Sequence, residues 1–421
     1  MILGLAAAVI FSQSCHPMNA MPEPHSLTLL CITTYEKGQD FMRECKRLGC
    51  RVFLLTAEKL RNANWPRESL EDTFYLPAEI PLADIVQAVT HLARTQKIDR
   101  IVALDEYDME TASTLREHLR IPGMGLTTMR YFRDKLAMRM RALDRGVRVP
   151  DFVPVFNHGD VRYYLEHVPG PWVLKPRQEA SAIGIKKINV ADELWPILEQ
   201  LGDKQSTYLL EKFVPGGVYH VDSVVSENEV VFSNVSKYGK PPMNVAQGGG
   251  VFTTFTVPRG SDADTGLREI NNDLIAALGL VRGVAHTEFI QAHADGHFYF
   301  LECAARVGGA YINEMVEAAT GINLWREWAR IEVSGGDGTY SVPPVRQDYA
   351  GVILSLARQD DPDTSGYNDP EVVLRIKRHH HAGLILHSNY PDRVPTLLGV
   401  YAQRFAQEFL AVEPPREKPT A

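Results

Sequence analysis

The sequence predicts an α/β protein, with a parallel sheet at the N-terminal end, an α+β portion in the middle and a small C-terminal appendage. Apolar strand patterns alternate with helical ones between positions 26 and 119, and parallel strands need such crossover helices. The middle of the chain is dense in strand pairs separated by Gly- and Asp-containing turns. Composition agrees: the 421 residues are 45% hydrophobic and 23% charged, an ordinary globular balance at a length that allows about two to four domains. A formal net charge of −8 argues against a nucleic-acid partner, which needs a basic face. The five cysteines are scattered, with no CxxC pair, so they suit a reducing compartment, the cytoplasm.

Residues 1–25 are expected to be a non-structural or signal-like lead. The run MILGLAAAVIF is too short to span a bilayer, no Lys or Arg precedes it, and SQSC is a poor lipobox; Met18 and Met21 also allow a later start. Residues 26–35 (SLTLLCITTY), 51–55 and 100–104 have buried-strand patterns, with helical patterns up to Leu48, at 83–96 and at 109–119. Ile121-Pro122-Gly123 closes this first domain, 26–125. No GxGxxG follows its first strand, so a dinucleotide fingerprint is absent.

A second domain is expected over 126–335. It opens with a helix at about 129–145, and a lid subdomain of about 150–212 carries strands at 172–175, 185–188 and 207–213. Strands at 219–225 and 230–236 and a helix at 265–278 lead to a hairpin, followed by a largely helical stretch at 310–329. Strand patterns at 349–356 and 371–387 form the appendage, 336–413, and 414–421 (PPREKPTA) is expected to be disordered.

The hairpin, 286–309 (HTEFIQAHADGHFYFLECAARVGG), carries the chemistry. If it is centred on Asp295, Glu288 and Glu302 fall opposite one another. Opposed carboxylates destabilise a sheet unless a cation sits between them, and oxygen-only ligands suit magnesium. Asp295-Gly296 alone would favour a two-residue turn, which slips the register by one and separates the glutamates. A three-residue loop with Gly296 left-handed restores the pairing. The other reading is an ordinary hairpin with two unrelated glutamates. Arg306 and Gly308-Gly309 add a fixed cation and a backbone that a ligand can approach.

Upstream, Lys175 ends an apolar strand, where a lysine can reach phosphates. The small residues 178–184, including Ser181 and Gly184, could fold over those phosphates, or form a plain hairpin. Glu211 ends another strand before Phe213 and Val214, where free backbone groups can read an adenine edge. His220, alternating with Asp222, more often would be a satisfied surface or core histidine than a ligand contact. Cys303 points away from Glu302 and belongs in the core. The run His379-His380-His381 fits a loop or edge-strand cluster better than a three-ligand metal site.

The order Asp134-Lys135, VLKP with its small-residue loop, LLEKFVPGG, HTEF and FLECAARVGG resembles the motif sequence of the ATP-grasp superfamily, over roughly residues 126–333. It is most similar to the carboxylate–amine ligase branch, which includes amino-acid ligases, with biotin carboxylase and glycinamide ribonucleotide synthetase as more distant relatives. The resemblance implies the ATP-grasp fold behind a parallel pre-grasp domain. It also implies ATP and Mg2+ (or Mn2+) as cofactors, and amide formation through an acyl phosphate from small carboxylate and amine substrates such as amino acids. Lys135 and Lys175 would contact phosphates, under a loop containing Ser181 and Gly184. Glu211, Phe213, Val214 and Leu301 would hold the adenosine, with His220 near the ribose or phosphates. Glu288 and Glu302 would bind metal, and Arg306, with Lys175, would act in catalysis. The family usually has Asn where this chain has Ala304, so a second metal would be completed by water or substrate. A biotin-carboxylase-like ligase, a kinase and a non-catalytic ATP-binding module are the alternatives. Neither a membrane nor a nucleic acid is expected as partner, and a homodimer is suggested only by the resemblance.

Overall fold

Four short apolar segments in the N-terminal region form a parallel sheet, β1 (Thr28–Thr33), β2 (Arg51–Ala57), β3 (Asp72–Leu76) and β4 (Arg100–Ala103), in the order β3-β2-β1-β4. The structure is a computed structural model that describes residues 26–180, 183–335 and 340–412. The expected lead, the expected tail and Ser181 lie outside the described residues. Every residue of β1 is buried, as a parallel strand covered on both faces must be. The turn after β4, Asp105 to Asp108, is acidic, and all three of its carboxylates are buried.

The expected helix at 129–145 is two helices, Leu126–Met129 and Lys135–Asp144. Asp134 makes the break. Its carboxylate caps the second helix, accepting from the Leu136 and Ala137 amides at 3.0 and 3.5 Å, which satisfies donors that no helical carbonyl can reach. A small antiparallel sheet follows, β5 (Phe152–Pro154), β6 (Trp172–Pro176), β7 (Lys186–Ile188) and β8 (Tyr208–Lys212), in the order β5-β8-β6-β7. Leu174, Ile188, Leu194 and Leu210 form its own core against helices His158–His167 and Leu194–Leu201.

The remaining strands form one eight-stranded antiparallel sheet. They are β9 (Gly216–Ser226), β10 (Glu229–Tyr238), β11 (Phe252–Thr256), β12 (Gly283–Ala292), β13 (Phe298–Ala304), β14 (Tyr349–Leu356), β15 (Val372–Arg378) and β16 (His381–Ser388), in the order β13-β12-β9-β10-β11-β14-β16-β15. The C-terminal segment is therefore no separate layer: β14 bonds to β11, Phe252 facing Leu354 and Phe255 facing Gly351. His379 and His380 occupy the exposed turn between β15 and β16.

Helix Arg393–Glu408 packs Val394, Leu397, Leu398, Tyr401 and Phe405 onto β14 and β16. Gly351 makes that approach possible. A Cβ there would lie 2.7 Å from Leu398 Cδ1 and Val394 Cγ1, and 3.1 Å from the Thr254 carbonyl. Gly351→Ala is expected to destabilise the protein by about 1–3 kcal/mol, the usual cost of an overpacked methyl, read as a lower urea midpoint.

Candidate active site

The register of the hairpin decides whether the two glutamates meet. Glu288 pairs with Glu302, but Phe289 pairs with Phe300, so Leu301 is an extra residue on β13. The loop is four residues, His293 to Gly296, with the Gly296 amide bonded to the Ala292 carbonyl at 2.9 Å and Gly296 left-handed at φ 73. Beside the turn the strands are thus one residue out of register with the glutamates, in the opposite sense to a two-residue Asp295-Gly296 turn, and the bulge at Leu301 restores the facing pair. The expected three-residue loop does not form. A bulge lets two adjacent side chains share one face: Leu301 and Glu302 line the same cavity, while Phe300 and Cys303 enter the core on the other face.

That cavity, about 640 Å3, lies between the small sheet and the eight-stranded one. One end is an apolar slot, with Val173, Ile185 and Phe213 on one side and Val218, Ile290 and Leu301 on the other. The other end is charged, lined by Lys135, Lys175, Glu288, Glu302 and Arg306. Val214 and Glu211 also line it. Gly184, left-handed at φ 70, turns the loop back from Ile183 to Ile185, which line the cavity where Gly184 itself does not.

Each cation at the charged end is held by a partner. Lys135 Nζ sits 2.8 Å from Glu302 Oε2 and 2.6 Å from the Glu179 carbonyl. Lys175 Nζ bonds Glu211 Oε1. Burial pushes the Lys175 ammonium down to about 8, although Glu211 pulls the other way. The Glu211 carboxylate also accepts from Arg139 Nε and Nη2, at 3.1 and 3.0 Å, and Arg139 Nη1 donates to the Leu301 carbonyl at the bulge. Both Glu211 oxygens are therefore engaged by protein cations. Arg306 donates from Nε and Nη2 to Glu106 Oε1 at 2.8 and 2.5 Å, and Arg133 Nη1 reaches the other oxygen at 2.9 Å. Burial opposes a charged Glu106, yet Arg306 and Arg133 hold its carboxyl down at about 2.

Behind Glu288 lies a buried polar chain. Tyr238 donates its hydroxyl to Glu288 Oε1 at 2.7 Å, and His286 Nε2 is 3.6 Å from the same oxygen. His286 Nδ1 bonds Asp222 Oδ1 at 2.8 Å, and His220 Nδ1 bonds Asp222 Oδ2 at 2.7 Å. His220 Nε2 is 2.7 Å from Thr254 Oγ1. The expectation that His220 lies beside the ribose or phosphates needs correction: it is fully buried, both its ring nitrogens are occupied, and it does not line the cavity. Gly308 closes over this chain, since a Cβ there would lie 3.0 Å from His286 Nδ1 and 3.1 Å from Asp222 Oδ1.

Glu288 and Glu302 fit a hard divalent cation. They are carboxylates facing each other at the cavity wall, each bonded by protein through one oxygen, Tyr238 on Glu288 and Lys135 on Glu302. Ala304 offers no donor and pairs with His286. Sequence reasoning missed Glu106, Arg133, Arg139, Tyr238 and His286. Two of these carried a signal: Arg139 lies four residues after Lys135 on one helix face, and His286 lies two before Glu288 on one strand face.

Burial alone would drive the proton off His286, but Asp222 and Glu288 outweigh it and raise its pKa to about 9. A histidine titration by 15N NMR should therefore find His286 charged at neutral pH, losing its proton only near pH 9. In Asp222→Asn burial meets only Glu288, and the pKa is expected to fall by about two units or more. Its folded value being raised, the stability His286 contributes is whole below about pH 6.5 and lost as pH rises toward 9.

No family model matches the chain. It is 27% identical over 244 residues to the L-arginine-specific L-amino acid ligase of Bacillus subtilis, a match covering 56% of this chain and 58% of that protein. The structure superposes on L-amino acid ligase from Bacillus licheniformis with a TM-score of 0.72 at 19% identity, covering 92% of this chain and 98% of the other. N5-carboxyaminoimidazole synthetase from Staphylococcus aureus, complexed with ADP, gives a TM-score of 0.69 at 17% identity over 90% of this chain and 96% of that one. With a bulged, two-glutamate hairpin facing a small antiparallel sheet, the chain has the ATP-grasp fold of the carboxylate–amine ligase group to which it is similar.

Proposed function

We propose that the protein is an ATP-dependent carboxylate–amine ligase that forms an amide or peptide bond between small substrates, amino acids among them, through an acyl phosphate. The carrying observation is the charged end of the cavity: two opposed glutamates, two lysines and an arginine at the mouth of an apolar slot. Adenine fits the slot, its edge read by backbone around Phe213 and Val214, which places the phosphates toward Lys135 and Lys175. Glu211 serves there as the anchor that aims Lys175. Glu288 and Glu302 would hold magnesium, or manganese, which when bound neutralises charge on the transferring phosphoryl group.

The carboxylate substrate attacks the γ-phosphorus and ADP leaves. An amine then attacks the acyl carbon and phosphate leaves. Arg306, held in place by Glu106, stabilises the negative charge that develops on the acyl oxygen. Closure of the small sheet on the larger one keeps water from the acyl phosphate. No helix among the described residues is long and apolar enough to cross a membrane, and Cys31, Cys45, Cys50 and Cys303 are buried free thiols, which supports work in the cytoplasm. The segment similarity to an amino-acid ligase supports amino acids over bicarbonate as the carboxylate.

Phosphate release from Mg-ATP, measured against pooled amino acids and small carboxylates, tests this. Release should depend on the pool and fall by about 10²–10³ or more in Glu302→Gln; release that is pool-independent would point to a simple ATPase. Lys175 adds a pH test. With its pKa near 8 in the ligand-free protein, ATP affinity should weaken roughly tenfold per pH unit above that value as the ammonium is lost. Lys175→Arg keeps its charge and should flatten that limb.

A further inference from the structure

A second cavity, about 270 Å3, lies where the N-terminal sheet meets the eight-stranded one, and it shares no lining residue with the first. The end of β4, helix Met109–Leu119, the segment leading into β12 and helix Leu324–Ser334 enclose it. Its volume falls just below the range of about 300–1,000 Å3 usual for ligand pockets, a size for a small molecule.

The charge of this cavity is unbalanced. Arg116 donates from Nε to the Ile101 carbonyl at 2.8 Å and from Nη1 to the Met124 carbonyl at 3.1 Å. Both partners are neutral, and no ion pair to Arg116 is found among the described residues. Arg100, on the same wall, donates to the Asp99 and Glu332 carbonyls at 2.9 and 3.3 Å. Arg282 also lines the cavity and is paired with Glu227, which does not. One lining carboxylate, that of Glu332, faces Arg116 and Arg100; it favours the charged form of Arg116 and accepts from Trp328 Nε1 at 3.1 Å. Two guanidiniums that share one carboxylate leave an excess positive charge in the cavity wall, and a small anion relieves the cost of burying it.

The backbone packs tightly around these side chains. Gly123, at φ 146, lets the chain cross the Arg116 stem, where a Cβ would come within 2.8 Å of Cδ. Gly283, at φ 127, does the same at Trp328, where a Cβ would lie 3.3 Å from Nε1. The rest of the lining is largely apolar, with Ile101, Met109, Met124 and Val284 beside Trp328.

We infer that this cavity is a second, non-catalytic binding site for a small carboxylate with an apolar body, the carboxylate on Arg116 and Arg100 and the body against Met109, Met124 and Trp328. The site adjoins the first: Ala305 lines this cavity and Arg306 the other. Ala103, on the wall, is followed three residues later by Glu106, the partner of Arg306.

Titration of the full chain with 3-methylbutanoate, followed by saturation-transfer NMR, tests the inference in Arg116→Met, Arg116→Lys and, as a control in the first cavity, Lys175→Met. The expected result is saturable binding to the unaltered chain, weakened at least tenfold by Arg116→Met and unchanged by Lys175→Met. Should Arg116→Met not fold, Arg116→Lys decides, because it keeps the charge without the planar fork and should weaken binding at least threefold. Acetate, lacking the apolar body, should bind at least fivefold more weakly. Absence of saturable binding, binding indifferent to both Arg116 variants, or binding lost in Lys175→Met would overturn the assignment. Equal affinity for acetate would overturn the apolar half of it. None of these readouts requires ligase activity.

Discussion

Glu288 and Glu302 face each other across neighbouring strands, and much of the surrounding chemistry answers that placement. Two unit charges at the roughly 5 Å of a cross-strand pair, in an effective dielectric of about 20, repel by about 3 kcal/mol. That is a large share of a domain's net stability, so the sheet holds the pair only where positive charge and donors surround it. Lys135 lies on Glu302. Glu288 receives the Tyr238 hydroxyl and has His286 behind it, and Asp222 supports His286 in turn. Lys135, Tyr238 and His286 on the cavity wall offset the repulsion, and the two carboxylates are left facing each other in a geometry that fits a divalent cation.

The same logic orders the cations. Lys175, Arg139 and Arg306 would each be costly as lone interior charges; each instead meets a buried carboxylate, Glu211 or Glu106. These contacts also join parts of the chain that are far apart in sequence. Glu106 sits at the end of the first sheet, 200 residues before Arg306. Arg139 connects the helix capped by Asp134 to a small-sheet carboxylate and to the bulge carbonyl of Leu301. The small sheet is thus tied to the hairpin through charge as well as apolar contact.

Many strand and helix patterns were legible in the sequence, the three-residue β7 among them, but helix His158–His167, β11 and several others were not. β5 has three residues, and β3 is an edge strand with one buried position, so neither shows a clear alternation. Helix Arg393–Glu408 does carry apolar residues at helical spacing, but Pro395 and Gly399 obscure it; a proline in the first turn costs a helix little. In the site, residues adjacent in the motif were visible because strand period places them. Glu106 and Arg139 were hidden because their partners come from other elements, and only tertiary contact pairs them. The facing glutamates were reached by assuming a symmetric loop, whereas the fold reaches them through a bulge. Sequence spacing counts residues and cannot say which of them is left unpaired.

The bulge shows why a site of this kind is harder to read than a core. Regular pairing throughout would leave Leu301 and Glu302 on opposite faces, as strand period demands. One of them would then be lost to the cavity, either the apolar wall or the metal-facing carboxylate. The extra residue puts both on one face, and it also turns the Leu301 carbonyl out of the ladder, where Arg139 takes it up. Arg139 is fully buried, and the carboxylate it serves, Glu211, belongs to the small sheet. A well-packed apolar residue would often cost the fold less than such a buried ion pair. Its presence here is therefore better explained by what it positions, Leu301 on one side and Lys175 through Glu211 on the other, than by any stability it adds.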